Sequence, residues 1–425
     1  GSVTLTNPYT ASISPAAMAR HSTSGKIATA SYFYHNGYMR LLLTQHTSDG
    51  VVDASFGNSG IVVTSLSTES IYPRALAYQS DGKLLVGGYS VDTTPYYNAV
   101  LARYTSTGTL DSTFSNTIGG SDGFIKFCWR SASSCATNSL YTGVLAIDVQ
   151  SDGKIVVGGK GKVSDAGTGY TAALARFNAN GSFDTSFGTE GRNLYSPGPI
   201  NSDSEIQALR IQSTGSILAS GSSADGSAHK AFALRVRSTG SLDATGQSAF
   251  GDTAGNSGCA TVGCIAFSYA GSTGLQGAIG LAEDSNGKIY LTGNSGANMG
   301  IARLTSVGAL DSGFGSSGSV TLDAGTNYDY GNALVIDSAN RLVIRTEVGQ
   351  TGDAATCIFR IGETGVLDST FAAETSTAGK ICHSRSFGGG TPINNGLALD
   401  SDGNILYNIH ISDTYATVGL RRRRP

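Results

Sequence analysis

Gln150-Ser151-Asp152-Gly153-Lys154-Ile155-Val156-Val157-Gly158-Gly159 decides the fold. Asp-Gly between two apolar runs is a tight hairpin turn, because glycine enters the left-handed backbone region without a Cβ clash. Working outward, Ala146-Ile147-Asp148-Val149 is the strand before the turn, and Lys154 to Val157 is the strand after it. The arrangement returns as Gln79-Ser80-Asp81-Gly82-Lys83-Leu84-Leu85-Val86-Gly87-Gly88. The turn glycine recurs as Gly25, Gly82, Gly153, Gly215, Gly287 and Gly403, and Asn340, which also tolerates a left-handed backbone, holds the same place once. The spacing is roughly 50 to 70 residues, and a unit of that length cannot bury its own apolar face, so the units must stack as an array.

A third strand in each unit ends in arginine, as in Ala173-Leu174-Ala175-Arg176, and an aspartate follows eight residues later. The pairs are Arg103 with Asp111, Arg176 with Asp184, Arg235 with Asp243, Arg303 with Asp311 and Arg360 with Asp368. The first unit keeps Asp53 but carries Gln45 in place of arginine. A phenylalanine closes the turn at Phe56, Phe114, Phe187, Phe314 and Phe371, and an insertion delays it to Phe250 in the fourth unit. A fourth strand follows, as in Gly60-Ile61-Val62-Val63-Thr64. Four short strands per unit over seven units predict an all-β fold: a seven-bladed β-propeller with four antiparallel strands per blade. A β-solenoid is the competitor, but its coils are usually shorter and lack hairpin-linked strands.

The first five residues, Gly1-Ser2-Val3-Thr4-Leu5, repeat the letters of Gly318-Ser319-Val320-Thr321-Leu322 in the fourth strand of the fifth unit. The last unit, from Leu397, supplies three strands, so the N-terminal strand is expected to complete the last blade and remove two open edges. The expected organisation is one domain over residues 1–425. Its blades cover about 17–67, 68–138, 139–201, 202–270, 271–325, 326–390, and 391–425 together with 1–7.

Ser-Asp-Gly-Lys, Val-Gly-Gly, Leu-Ala-Arg and Leu-Asp-x-x-Phe-Gly, as in Phe183-Asp184-Thr185-Ser186-Phe187-Gly188, carry a resemblance over nearly the whole chain. The pattern resembles the bacterial delta-sixty repeat family of β-propellers. The resemblance implies a bacterial extracytoplasmic protein, secreted or on the cell surface, possessing no single activity, because propellers host many. The last two units depart from the pattern: Asn340 replaces glycine, and the seventh lacks the Leu-Asp-x-x-Phe turn.

Charged residues make up 14% of the chain, glycine accounts for 58 residues, and the net charge is −3. That composition is rich in turns and strands, and no global field favours nucleic acid. No apolar run approaches the ~18 residues of a spanning helix, so direct membrane insertion is not expected. Gly1-Ser2 has no signal-like character and reads as the start of a processed chain. Six cysteines fall into local groups, which predicts the disulfides Cys128–Cys135, Cys259–Cys264 and Cys357–Cys382 and an oxidising compartment. Zinc is the rival, but paired CxxC knuckles are absent and histidine is scarce.

The Ser-Asp-Gly turns look faintly like calcium loops, yet they lack alternating acidic ligands and a terminal glutamate, so no metal is expected. An aspartate that bonds its own turn explains them better. The Arg and Asp recur in nearly every unit, whereas a catalytic group is needed once, so they are expected to be scaffold pairs. His21, His35, His46, His229, His383 and His410 show no ligand spacing. No nucleophile elbow or phosphate loop is present, so no catalytic residue and no cofactor are assigned. The terminal Arg421-Arg422-Arg423-Arg424 reads as the end of the last third strand, with Leu420-Arg421 matching Leu-Ala-Arg.

The unit-specific loops are the better functional candidates. Tyr34 and His35, Tyr96 and Tyr97, Tyr170, and Tyr328 and Tyr330 lie in segments that mix tyrosine with Asn, Asp, Ser and Gly. Tyrosine offers flat area and a hydroxyl at low entropic cost, so these residues are the candidate ligand contacts. The expected function is a non-enzymatic, adhesin-type extracellular module that recognises a glycan or a cell-surface protein, alone or within a larger surface assembly. The alternatives are a carbohydrate-active lyase or hydrolase with residues drawn from several blades, or a structural spacer in a surface fibre.

Overall fold

Each turn glycine takes a positive φ, from 70° at Gly25 to 84° at Gly82 and Gly153, and Asn340 takes 56°. The aspartate before the glycine serves the turn: Asp152 Oδ1 accepts from the Lys154 amide at 3.1 Å, and Asp81 Oδ1 accepts from Lys83 at 3.1 Å. This is the turn-bonding role expected of it.

The computed structural model describes residues 2–3, 13–65, 68–92, 97–115, 123–129, 142–162, 169–198, 203–225, 228–244, 249–251, 259, 262–272, 276–323, 329–349, 355–372, 378–384, 396–410 and 418–423. The first strand is β1 (Ser2–Val3). Blade 1 is β2 (Ile13–Arg20), β3 (Ile27–His35), β4 (Tyr38–His46) and β5 (Ile61–Thr64). Blade 2 is β6 (Ser70–Tyr78), β7 (Leu84–Val91), β8 (Tyr97–Tyr104) and β9 (Phe124–Phe127). Blade 3 is β10 (Gly143–Val149), β11 (Ile155–Lys162), β12 (Tyr170–Phe177) and β13 (Arg192–Tyr195). Blade 4 is β14 (Ser204–Ile211), β15 (Ile217–Asp225), β16 (Ala228–Val236) and β17 (Cys264–Phe267). Blade 5 is β18 (Gly280–Glu283), β19 (Ile289–Ser295), β20 (Asn298–Leu304) and β21 (Ser319–Leu322). Blade 6 is β22 (Asp329–Ile336), β23 (Leu342–Val348), β24 (Ala355–Ile361) and β25 (Lys380–Ser384). The last strands are β26 (Leu397–Leu399), β27 (Ile405–His410) and β28 (Val418–Arg423).

The expectation of seven like blades is corrected to six. Six four-stranded antiparallel meanders each come from one contiguous stretch of chain. The remaining strands form a closing sheet of mixed origin, in the order β1-β28-β27-β26. Its outer strand is two residues long and its inner strand three, with Ser2 opposite Arg421 and Val3 opposite Leu420. This sheet, assembled from both ends of the chain, closes the array without repeating the single-stretch meander of the six blades. The register also moves the repeat arginine by one: Leu406 faces Arg422 as Val156 faces Arg176, so Arg422 and not Arg421 is the equivalent position.

The first strands contact one another in the order β2, β6, β10, β14, β18, β22 and β26, and β26 returns to β2. Apolar side chains pack between consecutive blades. Leu43, Leu84 and Val100 share one cluster across blades 1 and 2, and Val157, Ala173 and Ile125 share another across blades 2 and 3. Met18, Ile27 and Leu406 join the closing sheet to blade 1.

A polar staple runs along the face that carries the hairpin and Leu-Asp-x-x-Phe turns. Arg176 Nε donates to Asp184 Oδ2 at 2.8 Å, and the same bond occurs at Arg103–Asp111 (2.9 Å), Arg235–Asp243 (2.7 Å), Arg303–Asp311 (2.8 Å) and Arg360–Asp368 (2.7 Å). Each guanidinium also lies over the phenylalanine that closes its turn, as Arg176 does over Phe187 at 4.8 Å. Its Nη1 then reaches the next blade: Arg176 donates to the Ser238 carbonyl at 2.6 Å and Arg235 to Ser306 at 2.7 Å, while Arg103 and Arg303 donate to Ala179 and Glu363. The backbone adds a parallel link, from the Gly188 amide to Thr239 O at 2.8 Å. At the end of the series Arg360 Nη1 is buried and has no partner among the described residues.

The hairpin lysine completes the staple, a role that the sequence reading did not assign. Lys154 lies 3.2 Å from Asp184, Lys83 3.1 Å from Asp111, Lys288 3.1 Å from Asp311 and Lys26 2.7 Å from Asp53. Where the fourth unit has Ser216 instead, Arg237 takes the second carboxylate oxygen of Asp243 at 2.9 Å. In the first unit Gln45 replaces arginine and donates to Asp53 at 2.9 Å.

These contacts predict an acid limit. Partial burial alone would raise the Asp184 pKa, but Ser186, Lys154 and Arg176 outweigh it and hold it at about 2. Asp111 is held at about 2 in the same way by Thr113, Lys83 and Arg103. A carboxylate whose folded pKa is depressed stabilises fully above its unfolded value and loses that contribution as pH falls through the folded one. The melting temperature should therefore fall between about pH 4 and pH 2, and Asp184→Asn should shrink that fall. A melting temperature that stays flat down to pH 2 would show that the staple carboxylates do not contribute.

Candidate functional site

The opposite face carries the connections from second to third strands and between blades. Its chemistry differs from blade to blade. Near this face the first strand bulges between Pro73 and Ala75 in blade 2, between Val144 and Ala146 in blade 3, and between Ile206 and Ala208 in blade 4. Bulges re-aim side chains. In these three blades a glycine faces the bulge: a Cβ on Gly88 would lie 2.1 Å from the Tyr72 carbonyl oxygen, on Gly159 2.0 Å from Gly143 O, and on Gly221 1.8 Å from Glu205 O. Here the glycine lets the innermost strand approach closely where it presents its variable residues.

Above the bulges the register defines one layer around the central axis. Ser14 faces Tyr32, Tyr72 faces Tyr89, Gly143 faces Lys160, Glu205 faces Ser222, and Tyr330 faces Glu347. In blades 1 and 2 the layer is aromatic. Tyr32 meets Tyr72 edge-on at 5.3 Å, Tyr72 stacks on Tyr89 at 4.8 Å, and Tyr89 meets Tyr97 at 5.4 Å. All four rings are half-buried. Burial, with Tyr89 and Tyr32 close by, raises the pKa of the Tyr72 hydroxyl, which stays a hydrogen-bond donor. Arg74, the bulge residue, donates from Nη2 to Tyr89 Oη at 3.1 Å.

Farther round, the layer is polar. Lys160 pairs with Glu205 at 2.9 Å, and Gln207 Nε2 donates to Glu205 at 2.8 Å. Gln207 Oε1 is buried with no partner among the described residues. In blade 6, Glu347 is committed to the fully buried Arg345 and accepts from Thr356 at 3.3 Å, and Arg345 also reaches Asn408 O at 3.3 Å. That pair ties blade 6 to the closing sheet. No group of three or more His, Cys, Asp or Glu side chains that could hold a metal occurs among the described residues.

Of the loop tyrosines named from the sequence, Tyr97 joins the aromatic layer. Tyr34 is 59% exposed at the end of β3 and stands apart from it. His35 lies 6.2 Å from the Phe33 ring. Tyr170 sits under Lys160 and Lys162, at 5.3 and 5.8 Å. Tyr330 is half-buried opposite Glu347. Tyr96 and Tyr328 lie outside the described residues. Tyr195, at the end of β13, is buried and donates to Gly240 O at 2.7 Å, so it is a packing residue.

Tyr72, Tyr89, Arg74, Lys160, Glu205 and Gln207 escaped the sequence reading. Their signal was the residue after each Gly-Gly and its partner one strand earlier. Disulfides join Cys259 to Cys264 and Cys357 to Cys382; Cys128 is disulfide-bonded, and Cys135 lies outside the described residues. No described helix is long and apolar enough to cross a membrane.

The chain is similar in fold to several solved structures. The polysaccharide lyase Uly1 is 8% identical, with 99% of this chain and 98% of that one covered at a TM-score of 0.48. A protein from Lactobacillus plantarum is 12% identical, with 83% of each chain covered and a TM-score of 0.46. Drosophila Semaphorin 1b, extracellular domains 1-2, is 10% identical, with 99% and 86% covered and a TM-score of 0.45. No curated protein matches the chain in sequence. Residues 79–114, 150–187 and 285–314 match a family described as "Domain of unknown function (DUF5122) beta-propeller". Each matched segment runs from a hairpin turn to the staple phenylalanine, Phe114, Phe187 or Phe314, so these stretches are similar to the repeat of a β-propeller family.

Proposed function

We propose that the protein is an extracytoplasmic binding module of the delta-sixty type that takes a saccharide against the tyrosines of blades 1 and 2. The observation that carries this reading is the unbroken run of four half-buried rings, Tyr32, Tyr72, Tyr89 and Tyr97, on the variable face. A tyrosine face packs on the C–H face of a pyranose, its hydroxyl bonds ring substituents, and little rotamer entropy is lost. The disulfides support an oxidising compartment, where such ligands are met.

A glycan array with the whole protein, followed by calorimetry on hits and product analysis, tests the reading. Tyr72→Ala and Tyr89→Ala should each weaken binding about ten-fold, more than one packed aromatic pair contributes alone, because each ring touches two others. Tyr34→Ala should leave affinity unchanged. Cleavage of the bound glycan would replace this reading with an enzymatic one. Equal affinity in all three variants would place the site elsewhere.

A further inference from the structure

We propose that the saccharide taken at this site is anionic, and that Arg74 holds its charged group; this rests on the saccharide-binding reading above. Arg74 differs from the arginines of the staple. Those at 103, 176, 235, 303 and 360 each hold an aspartate. No carboxylate pairs with Arg74 among the described residues, and its one hydrogen bond there goes to a neutral phenol, Tyr89 Oη. Its guanidinium carbon lies 5.3 Å from the Tyr89 ring centroid. The ring steadies the cation without neutralising it, and the remaining donors stay available for a bidentate acceptor.

The position is built by the fold. Arg74 is the extra residue of the first-strand bulge in blade 2, a place filled by Ala16 in blade 1 and Leu145 in blade 3. The lysine nearest in the layer, Lys160, is already neutralised by Glu205. Arg74 is thus the cation of the aromatic sector that a ligand can claim. Ring faces and a forked cation together match a sugar that carries a carboxylate or a sulfate ester. The two groups share the chemistry that Arg74 reads.

The test is calorimetry of the whole protein with four probes: oligogalacturonates, their methyl esters, sulfated carrageenan oligosaccharides and neutral cello-oligosaccharides. Binding of the uronates, or of the sulfated probes, with about ten-fold or greater loss in Arg74→Gln and partial recovery in Arg74→Lys, is the expected result. Preference for one probe identifies the anion as carboxylate or sulfate. The unmodified protein gives an independent readout, since methyl esterification or a rise in salt should abolish uronate binding whether or not the variants fold. Neutral and anionic probes bound equally, with Arg74→Gln unaffected, would overturn the charge assignment and leave the saccharide site standing on its tyrosine variants. Silence from all four probes would overturn both.

Discussion

Arg176→Ala is expected to lower stability by about 1.5–3 kcal/mol, the cost of losing a charge-assisted bond while Asp184 keeps Lys154 and Ser186. The side chains of Arg176 and Asp184 are only 5% and 9% exposed, so water compensates little. The deletion also removes the contact over Phe187 and the bond to Ser238 O in the next blade. Lys154→Ala, which removes the more exposed arm of the same carboxylate, should cost under about 1 kcal/mol. Chemical denaturation of both variants checks the contrast. Equal losses would mean that the carboxylate is held by water rather than by the arginine.

Gly221→Ala is the second large effect. Its Cβ would lie 1.8 Å from the Glu205 carbonyl oxygen and 2.9 Å from the carbonyl carbon, and both are backbone atoms in a bulge with nowhere to go. Overpacking of this kind costs about 1–3 kcal/mol and sometimes more. The strand must retreat, carrying Glu205 away from Lys160 and Gln207. Melting temperature should therefore fall. A variant with normal melting would show that the bulge does not depend on glycine.

The blade architecture was legible because its determinants recur. Arg, Asp and Phe at constant spacing announce a contact made in every blade, and the structure finds Arg103, Arg176, Arg235, Arg303 and Arg360 in one geometry. The blade count was overestimated because the seventh unit shows the same hairpin in its letters, Asp402-Gly403, whereas its sheet is assembled from both ends of the chain rather than from one stretch. The one-residue slip at Arg421 has a similar origin, since four consecutive arginines carry no internal landmark and only pairing to β27 sets the register. The variable layer was hidden for the opposite reason. Tyr72 and Tyr89 are seventeen residues apart and have no counterpart in other blades, and only the bulge and the antiparallel register bring them to 4.8 Å. Loop tips such as Tyr34 drew notice because they differ between units, yet variation within the strands, at Tyr72 and Tyr89, marked the more ordered surface.

The staple is directional, because each arginine reaches forward into the following blade. The series begins with a glutamine at Gln45 and ends with a forward-facing donor, Arg360 Nη1, that has nothing to grasp among the described residues. Because every such bond points forward, losing one arginine loosens the grip of its own blade on the next and leaves the preceding junction intact, so the damage done by a staple variant is one-sided.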